Sequence, residues 1–221
     1  MKEKVTPTQK ALNLWAVILI IWSVYRSVLK MPEWFDEFVA KPAVFVLPVI
    51  YYIRKIDKKD VLSSIYVSLN SRKFLSDLIY SVMAMLLFFG AAVSAIYINT
   101  GKLLDRPNLP DWGTVAMVIL LALATGVTEE ILSRGFVLKK LYDESKNYFS
   151  SIFLSSILFF ILHVPILFTN INITGNLLLT FMVTDMVLSI INGFIFLERK
   201  SLTVPILIHA FYNIMVALLF L

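Results

Sequence analysis

Glutamates at positions 129 and 130, an arginine at 134, histidines at 163 and 209 and an asparagine at 213 stand in strongly apolar surroundings. A charge at the centre of a hydrocarbon-spanning helix costs about 2.5–3.5 kcal/mol on insertion scales, so each such residue needs a reason to be there. A carboxylate beside imidazoles can act as a general base toward water, and imidazole or amide donors in a dry site can stabilise a developing oxyanion. Glu129, His163 and His209 could instead form a His-His-Glu zinc site with a position open for water, leaving Glu130 as the base. The HExxH signature of many zinc peptidases is absent from the chain, and a metal-free glutamate and histidine mechanism is preferred.

Helical spacing groups these residues. Four-residue separations share a face, which pairs Glu130 with Arg134, Phe159 with His163, and His209 with Asn213. Glu130 and Arg134 form an intrahelical ion pair on this reading, and Glu129, about 100 degrees around the helix, points elsewhere. Depth follows from the basic residues that end each helix, at about 1.5 Å per residue. Glu129 then lies roughly 15 Å from Lys139, His209 roughly 14 Å from Lys200, Asn213 roughly 20 Å from the same end, and His163 roughly 20–25 Å from Lys146. Three helices can therefore bring these groups to overlapping depths. A single membrane histidine is often a polar contact between helices, and a single Arg-Glu pair is more often structural; the combination on three helices favours a shared site. Asp185, central in its run, is either a partner for Arg134 or a further functional carboxylate, and Asp77 and Arg26 lie nearer run ends.

The elements that must carry these groups are membrane spans. The chain has 221 residues, 59% hydrophobic and 16% charged, with a mean hydropathy of +0.82. A span needs roughly 20 apolar residues, so this length holds six to eight spans and no separate soluble domain. Seven apolar runs are legible, at about 11–29, 38–53, 74–98, 112 to beyond 132, 149–168, 173–197 and 202–221. The first follows a basic start but lacks a small-x-small cleavage pattern, so it reads as a retained helix and not a signal peptide. Glu33, Asp36 and Glu37 are placed in the loop after it. The fold class is thus an all-α polytopic membrane protein of about seven helices. Residues 1–111 would supply helices one to three with a basic loop, and 112–221 the catalytic-type core of helices four to seven, within one integral domain.

Loop charges give an orientation, since lysine and arginine concentrate on the cytoplasmic side. Lys2, Lys4 and Lys10, then Arg54, Lys55, Lys58, Lys59, Arg72 and Lys73, then Lys139, Lys140 and Lys146, and finally Arg199 and Lys200 fall on one side, whereas the other holds Lys30, Lys41, Lys102 and Arg106. The N-terminus is therefore placed in the cytoplasm. The net charge of +5 and pI near 9.3 belong to loops facing anionic lipid, and nucleic acid is not an expected partner. The absence of cysteine excludes disulfides, thiolate zinc sites and a cysteine nucleophile.

Three motifs, in order and each in an apolar run, resemble the CAAX protease and bacteriocin-processing (Abi) family of intramembrane proteases. They are Glu129-Glu130-x-x-x-Arg134 followed by Gly135 and Phe136, then Phe159-x-x-x-His163, then His209-x-x-x-Asn213, with Pro205 ahead of the last histidine. The match covers roughly residues 112 to 218. The resemblance implies peptide-bond hydrolysis inside the membrane, with Glu129 as general base aided by His163, His209 and Asn213 stabilising the oxyanion, and Glu130 and Arg134 holding their helix in place. It also implies a peptide or prenylated protein as substrate, membrane lipid as surroundings, and a hydrated cavity opening to one face. A bacterial plasma-membrane protein acting in bacteriocin processing or self-immunity is the expected setting. Two rival readings use the same residues: a non-catalytic immunity or regulatory membrane protein, and a small proton or ion transporter relaying protons through Glu129, Asp185 and the histidines. No inverted repeat supports the transporter.

Overall fold

A computed structural model describes residues 5–101, 111–169 and 175–219. The described residues form helices and turns, with no strand among them. The helices are α1 (Pro7–Val28), α2 (residues 33–56), a short α3 (Val61–Ser64), α4 (Ser71–Thr100), α5 (Trp112–Ser145), α6 (Tyr148–Thr169), α7 (Gly175–Arg199) and α8 (Thr203–Leu219). Every apolar run of the sequence corresponds to a helix, although positions 173, 174, 220 and 221 of the last two runs lie outside the described residues.

Four stretches among the described residues are long and apolar enough to cross a membrane: Pro7–Val28, Ser71–Gly90, Trp112–Ser145 and Tyr148–Pro165, with Thr203–Leu218 a shorter apolar helix. Their outer faces are apolar as well. Ile20, Ile21 and Val24 on α1, Met83, Leu86 and Leu87 on α4, and Leu120 on α5 are exposed, a continuous burden of oily surface that water would not tolerate and lipid accepts. The chain is a multi-pass integral membrane protein.

Local signals set the helix ends. Thr6 caps α1 by accepting the Gln9 N–H at 3.2 Å, with Pro7 at the first helical position. Asn70 caps α4 through the N–H groups of Arg72 and Lys73, and Asp111 caps α5 through those of Gly113 and Thr114. Helix α4 stops at Gly101, whose left-handed φ of 69° needs no Cβ.

α5 is the central element. Helices α2 and α6 pack along it, α8 lies against it over much of its length, and α7 and α4 flank α8. The close approach of α5 and α8 depends on Gly126, where a Cβ would lie 2.9 Å from the backbone oxygen of Ile206 and 3.4 Å from the Ala210 nitrogen. The core beneath is aromatic and aliphatic: Trp22 of α1 meets Phe45 of α2 edge to face, and Tyr52 of α2 meets Phe136 of α5 likewise. Polar ties hold the helix ends together. Arg26 and the Tyr25 hydroxyl both bind Asp36, and Asp77 of α4 receives Arg199 at 2.8 Å and the Ser201 hydroxyl at 2.6 Å.

Two helices depart from ideal α geometry. In α2, π-type turns cover Asp36–Ala40, Pro42–Val46 and Tyr52–Ile56. Pro42 and Pro48 each lack a donor and press on the carbonyl one turn back, and wider turns relieve that clash. In α5 the π stretch is Ile131–Leu138, starting directly after Glu129 and Glu130; such turns recur at functional sites. The structure also corrects the placement of the first acidic cluster. Asp36, Glu37 and Lys41 are not loop charges but buried residues within α2.

Candidate active site

Adjacent positions on α5 send two carboxylates to different partners. Glu130, wholly buried, accepts through Oε1 from Arg134 Nη1 at 3.0 Å, from Asn192 Nδ2 at 3.3 Å and from His209 Nδ1 at 2.8 Å. Asn192 also donates to the Pro205 carbonyl, so this oxygen joins α5, α7 and α8. Arg134 stacks its guanidinium over the Phe159 ring, 4.3 Å from the centroid. Phe159 in turn meets both histidine rings edge-on. The Glu130–Arg134 pair anticipated from spacing is therefore present, and it reaches further than one helix.

Glu129 faces the other way. Its Oε1 accepts from Lys41 Nζ at 2.7 Å. Its Oε2 is buried without a hydrogen-bond partner, 3.4 Å from His163 Nε2 and 3.8 Å from His209 Nε2. The other nitrogen of each ring faces acceptors: His163 Nδ1 lies 3.1 Å from the Phe159 carbonyl and 3.7 Å from Asp185 Oδ2, and His209 Nδ1 faces Glu130. Hydrogen-bond logic therefore puts the proton of each neutral ring on Nδ1 and turns both Nε2 atoms toward Glu129. Three basic atoms on three helices thus converge on one point.

That point is on the wall of a cavity of about 400 Å³, within the size range of ligand sites. Asn213, one turn beyond His209, is on the same wall with Tyr212, Asp185, Lys41 and Glu37, and Val118, Leu121, Met182 and Val216 supply apolar lining. Tyr212 and Thr184 join α8 to α7 by a 2.6 Å hydroxyl contact beside Asp185. The structure therefore brings together Glu129, His163, His209 and Asn213, and sets Glu130 and Arg134 immediately behind them. Asp185 sits beside His163 and not with Arg134's carboxylate partner.

Sequence reasoning missed Lys41 and Glu37. Lys41 Nζ lies 2.6 Å from Glu37 Oε1 as well as 2.7 Å from Glu129, and Glu37 Oε2 accepts from the Thr125 hydroxyl at 2.7 Å. The i,i+4 spacing of Glu37 and Lys41 matches that of Glu130 and Arg134 and could have drawn attention to them. These side chains do not fit a metal centre as placed. No group of three histidine, aspartate or glutamate side chains among the described residues is arranged to hold an ion, and an ammonium already occupies one oxygen of Glu129.

No curated protein and no solved structure matches the chain. Residues 111–215 match the family described as type II CAAX prenyl endopeptidase Rce1-like. This segment, a little under half of the chain, contains all three motifs, and the resemblance they carry is therefore shown: the part of the chain that builds the Glu129 site is similar to the CAAX prenyl endopeptidases.

Proposed function

We propose that this protein is an intramembrane endopeptidase in which Glu129 is the general base. The observation that carries the reading is the partnerless Oε2 of Glu129, set against two imidazole Nε2 atoms on a cavity wall. A carboxylate oxygen facing two imidazole nitrogens suits a water molecule, which can donate one hydrogen to Glu129 Oε2 and the other to one of the imidazoles while a lone pair points outward. Glu129, aided by His163, takes a proton as the water oxygen bonds to the scissile carbonyl carbon and the C=O electron pair moves onto oxygen. The Asn213 amide donates to that oxyanion, and His209 joins it when its Nε2 carries a proton while Nδ1–H stays on Glu130. The tetrahedral intermediate collapses with cleavage of the C–N bond, and the proton passes to the leaving amine. Glu130, Arg134 and Asn192 fix the ring of His209 throughout.

The substrate in this proposal is a membrane-associated peptide or a prenylated protein, and bacteriocin processing or self-immunity in a bacterial plasma membrane is the proposed setting. The remaining helices α2, α7 and α8 also cross, giving seven spans with the N-terminus in the cytoplasm. Catalysis is proposed to be metal-free. Cleavage of a prenylated CAAX peptide or of a bacteriocin precursor by the purified protein in detergent tests the reading. Glu129→Ala and His163→Ala are expected to lose activity by at least about 100-fold while remaining inserted, and a chelator to leave the wild type unchanged. Equal cleavage by both variants and wild type would sink the assignment.

A further inference from the structure

Lys41 comes from α2, outside the segment that matches the protease family, yet its side chain ends in the middle of the site. Only 4% of the residue is exposed. A buried ammonium is retained only where its charge is answered, and here two carboxylates answer it, Glu37 at 2.6 Å and Glu129 at 2.7 Å. Glu37 is itself held by the Thr125 hydroxyl at 2.7 Å. Thr125 and Glu129 are one turn apart on the same face of α5, so the chain Thr125–Glu37–Lys41–Glu129 leaves α5 and returns to it. A side chain in such a ring has little freedom to move.

A simple tie between α2 and α5 would need no particular oxygen of Glu129. The observed arrangement is selective. Lys41 takes Oε1, which lies away from the histidines, and the carboxylate plane that results presents Oε2 to both Nε2 atoms. The ammonium also supplies a positive charge within hydrogen-bond distance of the carboxylate, so that the ionised form of the base can be held in a buried site.

We propose that Lys41 is a positioning residue for hydrolysis: its ammonium fixes Glu129 so that the free carboxylate oxygen meets the two imidazoles, and it provides the fixed cation of the site. This rests on Glu129 being the base. Its expected signature is a loss in kcat at nearly constant KM, because Lys41 acts on the catalytic carboxylate and not on the length of the substrate.

The test uses the full chain, purified in detergent, with a prenylated CAAX peptide or bacteriocin precursor that the wild type cleaves. Lys41→Met, Lys41→Gln, Lys41→Arg and Glu129→Ala are compared, each with its melting temperature and rates per folded molecule. The neutral variants are expected to lose about 100-fold in kcat with KM within about twofold, and arginine to recover part of that loss, to about tenfold below wild type. A neutral variant that folds and keeps wild-type kcat, or one whose only defect is a lower melting temperature, overturns the proposal. If neither neutral variant folds, Lys41→Arg decides. Its planar fork cannot reproduce a single-point ammonium between two carboxylates, so wild-type kcat there would also overturn it. Glu129→Ala separates the two ideas: an active Glu129→Ala defeats the base assignment, whereas an inactive one beside a fully active Lys41→Met defeats only the role of Lys41.

Discussion

Glu129 and Glu130 are neighbours in sequence, both buried, and both paired with a cation, but their surroundings differ in kind. On the Glu130 side, one oxygen collects donors from α5, α7 and α8 and is sealed from the cavity. On the Glu129 side, one oxygen is tied to Lys41 and the other is left against two imidazoles on a cavity wall. Each carboxylate has an Oε2 without a hydrogen-bond partner, but only that of Glu129 lies on the cavity wall against two imidazoles. Glu130 serves as a joint between helices, and Glu129 is the carboxylate placed for the proposed base. One helix thus presents both uses within a single peptide unit.

The sharpest way to break this contrast is to neutralise each member with the same change. Glu129→Gln is expected to lower kcat by at least about 100-fold, with a smaller drop in melting temperature than in Glu130→Gln because Glu37 still answers Lys41. Glu130→Gln is expected to lower the melting temperature and to affect kcat per folded molecule less than Glu129→Gln does. Matching profiles for the two variants would erase the distinction. Next in size is Arg134→Met, which leaves Glu130 without its main cation in a pair whose side chains are 1% and 0% exposed. Breaking a buried pair from one side costs about 3–5 kcal/mol, to be read from the yield of monodisperse protein and its thermal midpoint. A midpoint equal to wild type would mean that Asn192 and His209 alone hold the joint.

The smallest expected effect lies far from the site and serves as its control. Glu144 lies in the last turns of α5 beyond Lys139 and Lys140, past the apolar part that crosses the membrane, where it accepts the Thr8 N–H at 2.7 Å and so caps the start of α1. That backbone hydrogen bond holds its carboxyl below the usual range. A carboxylate lowered by folding contributes stability that is complete above its unfolded value, about 4.3, and lost as pH falls through the lower folded value. Hydrogen exchange at Thr8 should therefore rise as pH is lowered through that window once the intrinsic rate is divided out, and Glu144→Gln should flatten the response. A response unchanged in Glu144→Gln would assign the cap to another group.

Much of the architecture was legible because lipid imposes a simple rule: apolar runs of sufficient length are helices. The Glu130–Arg134 pair and the shared depth of Glu129, His163 and His209 were legible because spacing along a helix fixes both face and height. Other features were not. Counting Lys41 among the loop charges hid it, although it falls inside the apolar run at about 38–53. Its partner Glu129 lies 88 residues away, a separation at which spacing carries no information. The contact of His209 with Glu130 was hidden for the same reason, since only the packing of α8 on α5 makes it. The π turns of α2 and α5 are also invisible to a pattern based on 3.6 residues per turn.

Gly126 gives the site a property that none of its reactive residues carries. It lies one turn before Glu130, opposite Ala210, the neighbour of His209, where the backbones of α5 and α8 leave no room for a Cβ. A methyl group there would meet the Ile206 carbonyl oxygen at 2.9 Å and act as a shim, wedging the helices apart and lengthening the 2.8 Å bond between His209 and Glu130. The gauge of the cavity is therefore written in a residue with no side chain. A chain could keep every glutamate, histidine and asparagine of the three motifs and still lose their arrangement through one added carbon.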